Sequence, residues 1–360
     1  MSTIVLATGI YPPAIGGPAT YVKNLAEQLT AAGHAVKVVT FEVKKATYNE
    51  AWPIVTVPIG FPILRWFAYA RVLRHHAADA DVVYAFSALS VGLPLRLARL
   101  KTPKKVLRLG GDVLWERYTD WRGRRTLRDW YGRKPFVLSV LSWLLRAFDH
   151  VVFSTAFQER LYERAYTKMP PHSVIENARP AGPLELHAAH EPFRLLYLGR
   201  FVRFKNLHNL LRAVANLPHV TLTLIGEGPI SRDLSQLARS LHLRNRLVFL
   251  PPVSGEEKAN AYRDHDLLII PSITEISPNA ALESRSHGLP VLLTDETGLS
   301  EDLRDGMMVA RLQTSQDITR AVLDIEQRYA EIAAQAASPM RKRGWQEVAA
   351  EHVTLFQRVP

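Results

Sequence analysis

Short apolar runs, each closed by a turn and followed by a helical pattern, recur from one end of the chain to the other. Ile4-Val-Leu-Ala-Thr8 is the first. A glycine-bearing turn, Tyr11 to Thr20, separates it from a helix with Tyr21, Leu25 and Leu29 on one face. Those three positions recur at helical spacing. The helix ends near Gly33, and Val36–Phe41 is the next strand. Further strands are predicted at 54–57, 82–85, 106–109 and 151–154. The alternation restarts at Phe193, with strands there and at 221–225, 247–250, 267–270 and 291–294. Helices are predicted at about 206–216, 231–241 and 256–264, and a last one lies within 340–358 with Trp345, Val348, Val353, Leu355 and Phe356. Runs that are apolar on both faces suit buried parallel strands. Strand–helix crossovers build parallel sheets.

The stretch from Ala178 to Pro192 interrupts this rhythm with prolines and small residues, which suits an interdomain linker. A chain of 360 residues is comfortable as two domains. The expected class is α/β, with two Rossmann-like, doubly wound domains. Their expected bounds are 1–185 and 190–340, followed by a segment 341–360 that returns to the first domain.

Charge divides the two halves. Residues 1–187 hold 25 Lys+Arg against 14 Asp+Glu, and residues 188–360 hold 20 against 20. The basic half also carries an aromatic-rich segment, Trp115 to Phe148, with Trp121, Trp130, Phe136 and Trp143 among Arg117, Arg122, Arg124, Arg125, Arg128, Arg133, Lys134 and Arg146. Residues 61–74 have the same character. Basic amphipathic helices with Trp and Phe can lie in a membrane interface. The expected partners are therefore an anionic membrane surface or a lipid-linked substrate; the alternative is that the aromatics fill a core and the arginines are solvated. No nucleic-acid signature accompanies the segment, and no nucleic-acid partner is expected. The chain has no cysteine, which removes disulfides and thiol chemistry. Its N-terminus reads as a strand, not a signal peptide, and no apolar run is long enough to span a bilayer. The expected location is the cytoplasm, with peripheral attachment to the inner face of the membrane.

Candidate chemistry concentrates in Pro271-Ser-Ile-Thr-Glu-Ile-Ser-Pro-Asn-Ala-Ala-Leu-Glu283. This stretch leaves strand 267–270 and enters a helix that stops at Gly288, with Pro290 beyond. Ser277 is the expected N-cap and Pro278 the first helical residue. The carboxyl ends of parallel strands are where ligands bind in such sheets. The free N–H groups of a helix start favour an anion such as a phosphate. Glu275 lies in the loop and Glu283 in the helix.

Several separate motifs resemble glycosyltransferase family 4, the group 1 retaining glycosyltransferases of the GT-B fold. Gly199-Arg-Phe-Val-Arg-Phe-Lys-Asn206 is similar to the family's Gly-Arg-x(4)-Lys-Gly segment. Ile225-Gly-Glu-Gly-Pro229 is similar to its Gly-x-Gly-Pro turn, and Glu275 with Glu283 to its paired glutamates. Gly288-Leu-Pro-Val291 and the loop from Tyr11 to Gly17 match further pieces. The resemblance implies two domains facing a cleft, with Arg200 and Lys205 on the donor's diphosphate. It implies Glu283 on the ribose and Glu275 on the sugar. Ser277, Pro278, Asn279 and Ala280 would meet sugar and phosphates, and Pro252 and Val253 would lie near the base. Gly226 would shape the donor site, and Gly17 would approach the phosphates from the other domain.

The first half departs from the family pattern. Many members carry a His after the strand placed here at 106–109; this chain has Gly110-Gly-Asp-Val-Leu-Trp-Glu116. Asp112 is read as the acid nearest the acceptor hydroxyl, with Glu116 supporting. A helix cap and an ion pair with an arginine such as Arg117 account for the same residues equally well. Asp79-Ala-Asp81 and Asp264-His-Asp266 precede their strands, and both are read as loop acids. No metal and no cofactor are expected. The expected activity moves a hexosyl unit from a UDP- or GDP-linked sugar to a hydroxyl of a glycan or lipid-linked acceptor, such as an envelope polysaccharide precursor. A sugar-nucleotide epimerase and a non-catalytic nucleotide-sugar binding protein are the alternatives.

Overall fold

The computed structural model describes residues 1–14, 16–43, 47–133 and 136–360. Ile15 of the glycine-bearing turn and Lys134 of the aromatic segment lie outside the described residues. The chain forms two compact units. One holds Met1–Leu114, Tyr131–Ala178 and Arg343–Pro360; the other holds Trp115–Trp130 and Arg179–Lys342.

The first unit is built on a parallel sheet of strands β1 (Thr3–Thr8), β2 (Ala35–Phe41), β3 (Ile54–Val57), β4 (Val82–Phe86), β5 (Lys104–Leu109), β6 (His150–Phe153) and β7 (His172–Val174). Their spatial order is β3-β2-β1-β4-β5-β6-β7. Chain direction therefore reverses its drift between β1 and β4, where Leu6 pairs with Tyr84 on one side and Val38 on the other. The helix Gly17–Ala31 buries Tyr21, Val22, Leu25, Ala26 and Leu29 against the sheet. Each such Leu or Val contributes about 1.5–3 kcal/mol by leaving water.

The same core is completed by the last helix, Trp345–Arg358, through Val348, Ala349, His352 and Phe356. Arg343, at its approach, holds Glu351 with two hydrogen bonds of 2.6 and 2.8 Å and also donates to the Glu176 carbonyl at 3.2 Å. His352 is fully buried. Its Nδ1 faces the Val348 carbonyl at 2.7 Å, which accepts only, so Nδ1 carries the proton. Nε2 then accepts from the Tyr84 hydroxyl at 2.9 Å. Burial, reinforced by the nearby Arg108 guanidinium, lowers the His352 pKa to about 3.

The second unit repeats the plan with β8 (Phe193–Leu198), β9 (Val220–Ile225), β10 (Leu247–Leu250), β11 (Leu267–Ile270), β12 (Val291–Thr294) and β13 (Met308–Ala310). The order is β10-β9-β8-β11-β12-β13, again all parallel. Its reversal lies between β8 and β11. Leu207, Leu210, Leu211 and Val214 form the buried stripe of the helix that follows β8. Arg285, fully buried, donates to the carbonyls of Asp305, Ala336 and Ser338. It thereby ties the helix after β11 to the end of the unit.

Two differences from the sequence expectation stand out. The chain is not divided by a single cut at 185–190. The break falls between Ala178 and Arg179, and Trp115–Trp130 belongs with the second unit although it lies within residues 1–185. The reason is burial: Trp115 packs its ring against Phe204, with centroids 5.3 Å apart, and Leu127 is buried in the same unit. The short strands β7 and β13 were also not expected. All their residues are half-buried, so their pattern looks like that of a loop.

His352 gives the fold a pH dependence of known sign. The unfolded imidazole titrates near about 6.5 and the folded one near about 3. Between those values the unfolded chain binds the extra proton, so stability falls as pH drops, by about 1.4 kcal/mol per pH unit from this group. Urea unfolding measured from pH 7 down to about 4.5 should show this slope. His352→Gln should flatten it.

Candidate active site

In an open parallel sheet the crevice lies outside the carboxyl ends of the strands, at the point where strand order reverses. In the second unit that point is between β8 and β11, and five loops meet there.

The loop after β8 is fixed from within. Tyr197 donates its hydroxyl to the Arg200 carbonyl at 3.0 Å, and the Phe201 N–H donates to the Glu227 carbonyl at 2.8 Å. Arg200 itself is exposed and has no ion-pair partner among the described residues. A single 3-10 turn, Arg203–Lys205, then hands over to Asn206, whose φ of 59° starts the next helix from a left-handed residue. The Asn206 amide donates to the Leu312 carbonyl at 2.9 Å, which secures that strained entry. Lys205 leaves this turn with its ammonium 5.0 Å from the Phe204 ring centre and 2.5 Å from Glu275 Oε2.

Gly226, after β9, has a φ of 144°, and a Cβ there would sit 2.0 Å from the Gly199 carbonyl oxygen. Only glycine lets the β8 and β9 loops approach this closely. Pro252 and Val253 follow β10 and are partly exposed.

The loop after β11 carries Glu275, which is buried with 8% exposure. Its N–H donates to the Glu296 carbonyl at 2.9 Å, and its own carbonyl accepts from the Gly298 N–H at 2.8 Å. Its Oε2 takes both Lys205 and the Ser272 hydroxyl, the latter at 2.7 Å. Backbone and carboxylate are thus both fixed. Glu296 lies alongside, and burial raises its pKa while Arg128, 3.6 Å away, pulls it back.

The helix after β11 runs Asn279–Ser286, with Pro278 as N-cap and no side-chain cap. This corrects the expectation of a Ser277 cap with Pro278 at the first helical position. The Pro278 carbonyl accepts from the Ala281 and Leu282 N–H groups, so Pro278 itself is the boundary residue. Ser277 Oγ is buried without a hydrogen-bond partner among the described residues. The helix ends in a double bond pattern, Leu289 N–H to Ser284 and Gly288 N–H to Arg285, each 3.2 Å. Gly288 has a φ of 78° there, as the sequence predicted. Glu283 accepts from the Tyr262 hydroxyl at 2.9 Å and is paired with Lys258. Burial, with Glu283 adding to it, pushes the Tyr262 phenol well above its ordinary range, so it stays a donor.

Arg200, Lys205, Gly226, Pro252, Val253, Glu275, Ser277, Pro278, Asn279, Ala280 and Glu283 therefore all lie on carboxyl-end loops, or the helix they lead into, in one sheet. Gly17 and Asp112 belong to the first unit. Gly17 opens the helix after β1 and is exposed. Asp112 is 1% exposed, and its Oδ2 accepts from the Tyr131 and Tyr162 hydroxyls at 2.5 and 2.9 Å. Glu116, half-buried in helix Val113–Asp120, belongs to the second unit. Asp266 binds the His190 and Arg194 N–H groups at 3.1 and 2.7 Å, a loop-tying role. Ser272, Lys258 and Tyr262 were not singled out from the sequence. Lys258 and Tyr262 share a helix face at four-residue spacing, which is a readable signal; Ser272 carries none.

Two parallel-sheet, Rossmann-like units define the α/β class, and one of them gathers cations, carboxylates and a helix start at its strand-order reversal. The Glycosyltransferase Family 4 model matches residues 15–179, and the Glycosyl transferases group 1 model matches residues 192–328. The chain belongs to glycosyltransferase family 4 and is a glycosyltransferase of the GT-B fold. It is 26% identical over 355 residues to alpha-monoglucosyldiacylglycerol synthase of Streptococcus pneumoniae, covering 89% of this chain and 77% of that one. It is 37% identical over 117 residues to D-inositol 3-phosphate glycosyltransferase of Mycolicibacterium smegmatis, a match that spans 31% of this chain and only 27% of that protein. The solved structure of sucrose-phosphate synthase from Thermosynechococcus elongatus superposes with a TM-score of 0.80 at 18% identity, covering 99% of both chains.

The Lys205–Glu275 pair should carry measurable stability. Lys205→Met would strand a nearly buried carboxylate and should cost the second unit about 3 kcal/mol, the low end for a buried pair, because solvent partly reaches this one. Adding Glu275→Gln should recover most of it. Chemical denaturation of the two single variants and the double closes the cycle; coupling below about 0.5 kcal/mol would mean the pair is no more than a surface contact.

Proposed function

We propose that this glycosyltransferase is a retaining, metal-independent enzyme that moves a hexosyl unit from a UDP- or GDP-linked donor to an acceptor hydroxyl. The observation that carries the reading is the fixed array at the β8/β11 reversal. Arg200 and Lys205 supply positive charge, and the helix start at Asn279 supplies backbone N–H groups. Negative charge appears on the diphosphate as the anomeric C–O bond breaks, and such preset donors stabilise it where it forms. The Lys205 ammonium is held by Glu275 and the Arg200 backbone by the Tyr197 hydroxyl, so the loop that carries both needs little reorganisation. In this reading Glu275 holds hydroxyls of the sugar near the reaction centre, with Ser277, Pro278, Asn279 and Ala280 around sugar and phosphates. Glu283, steadied by Lys258 and Tyr262, accepts from the ribose, and Pro252 and Val253 lie against the base. Gly226 keeps the β8 and β9 loops close enough to shape the donor pocket.

The acceptor reading puts Asp112 and Glu116 on the acceptor side. With two phenols on its Oδ2 and almost no exposure, Asp112 suits a positioning role there better than direct contact with the acceptor. A lipid-linked acceptor, met at the membrane's inner face, is supported by the first unit's surface. Helix Pro62–His76 exposes Ile63, Leu64 and Phe67 beside Arg71 and Arg74, with Phe61 at its entry. Helix Val137–Leu145 exposes Val140 and Trp143, with Phe136 at its start and Arg146 at its end. Apolar groups beside arginines are the pattern of an interfacial anchor on anionic lipid. The pneumococcal relative's name, a glucosyldiacylglycerol synthase, points to the same acceptor class.

Steady-state kinetics tests the donor site. Arg200→Ala should lower kcat by about 100-fold, the usual effect of removing one donor to a developing anion. Glu283→Ala should raise the donor KM about tenfold with a smaller change in kcat. Unchanged kcat/KM in both variants with UDP- and GDP-sugars would refute the assignment, and full loss of activity in EDTA would refute metal independence. Flotation tests the surface: the protein should be retained on anionic vesicles at low salt, and Phe67→Glu with Trp143→Glu should release it.

A further inference from the structure

The segment Trp115–Trp130 comes from the half of the chain that carries the first sheet, yet it packs into the second unit. It forms a strap over the loops after β8, β11 and β12. It is anchored on itself by the Trp115 indole N–H, which donates to the Arg125 carbonyl at 3.0 Å.

Three contacts show where the strap lands. The Trp115 ring packs on Phe204, the residue before Lys205, and the Lys205 ammonium in turn lies over the Phe204 ring. The Leu127 N–H donates to Thr274 Oγ1 at 2.9 Å, and Thr274, 1% exposed, is the residue before Glu275. Arg128 pairs with Glu296, whose carbonyl accepts the Glu275 N–H. Phe204 and Ile273 are themselves joined by a backbone hydrogen bond of 2.8 Å. Each contact therefore falls one residue, or one hydrogen bond, away from the Lys205–Glu275 pair.

We infer that the strap is a positioning element for Lys205 and Glu275, with Trp115 and Thr274 as the positioning residues. This rests on the donor-site reading given above. An ammonium and a carboxylate on separate loops keep their geometry better when both loops are also braced from outside the pair. Phe204 and Thr274 are the side chains through which the strap braces them. A shift of one loop by a fraction of an ångström changes where the ammonium points, and misplacement on that scale weakens the groups that depend on it.

The test uses the full-length protein with UDP and GDP as calorimetric probes. Thr274→Val should weaken nucleoside diphosphate binding at least fivefold with the melting temperature within a few degrees. Trp115→Leu, which also loses buried volume and should melt several degrees lower, should weaken it as much at a temperature where both variants are folded. Trp115→Phe, which keeps an aromatic ring on Phe204, should restore binding. In a Lys205→Ala background, Trp115→Leu should add little further loss, because both act through the same group. Wild-type affinity in Trp115→Leu and Thr274→Val, with loss confined to Lys205→Ala, would overturn the strap's role and leave the donor site standing. Wild-type affinity in Lys205→Ala, or no binding of either nucleotide by the wild type, would overturn the donor-site reading. A second readout needs no nucleotide: with lysines ¹³C-dimethylated, the Lys205 methyl resonance should move in Trp115→Leu and Thr274→Val but not in Trp115→Phe. An unmoved resonance would overturn the inference by itself.

Discussion

The contact between Lys205 and Glu275 sets the terms for everything around it. A carboxylate that is nearly buried is costly unless a cation and hydrogen-bond donors meet it. Here one oxygen takes both an ammonium and the Ser272 hydroxyl. That arrangement demands that two loops, from strands β8 and β11, hold still relative to each other. The demand explains the density of backbone bonds there. Ile273 to Phe204, Glu275 to Glu296 and Gly298 to Glu275 all cross between loops. Gly226 and Asn206 occupy backbone conformations most residues avoid, at the two places where the loops must turn sharply.

The reversal of strand order is the larger frame for this contact. A parallel sheet points all its strand ends the same way, and helices return the chain behind it. Loops after β8, β9, β10, β11 and β12 then have no alternative but to gather on one edge. Catalytic chemistry needs several residue types in a small volume, and this topology supplies them from distant parts of the sequence. Within the second unit, Arg285 fixes the far end of the Asn279–Ser286 helix by engaging carbonyls of Asp305, Ala336 and Ser338. The helix start is therefore held at its loop end by the Glu275 bonds and at its other end by a buried guanidinium.

The regular part of this architecture was legible in the sequence. Strands such as Leu267–Ile270 and Val291–Thr294 are apolar on both faces because both faces are covered, and their bounds match the prediction. Gly288 marked a helix end because its φ is positive. The paired glutamates and the lysine after β8 were singled out by their resemblance to the family's motifs, and the structure sets them on the carboxyl-end loops of one sheet or the helix those loops enter. What sequence could not supply was tertiary. Nothing local to Trp115 says that its ring meets Phe204, and nothing near Ser272 says that its hydroxyl meets Glu275. The strands His172–Val174 and Met308–Ala310 lacked an apolar signature, being short and half-buried. At Ser277 the preference of serine for N-caps was not used: Pro278 keeps an extended ψ of 106° and its own carbonyl accepts the first helical bonds, so the boundary falls one residue later.

The closing of the first unit by residues 343–360 bears on how the chain comes to be folded as it is made. Tyr21 and His352 lie 3.4 Å apart though 331 positions separate them. Until Val348, Ala349, His352 and Phe356 arrive, the helix Gly17–Ala31 has an uncovered apolar side. During synthesis at roughly 5–20 residues per second, the first unit therefore waits, incomplete, while the whole of the second is translated. The part begun first is finished last, and for that interval one apolar side of its core lacks the helix that covers it.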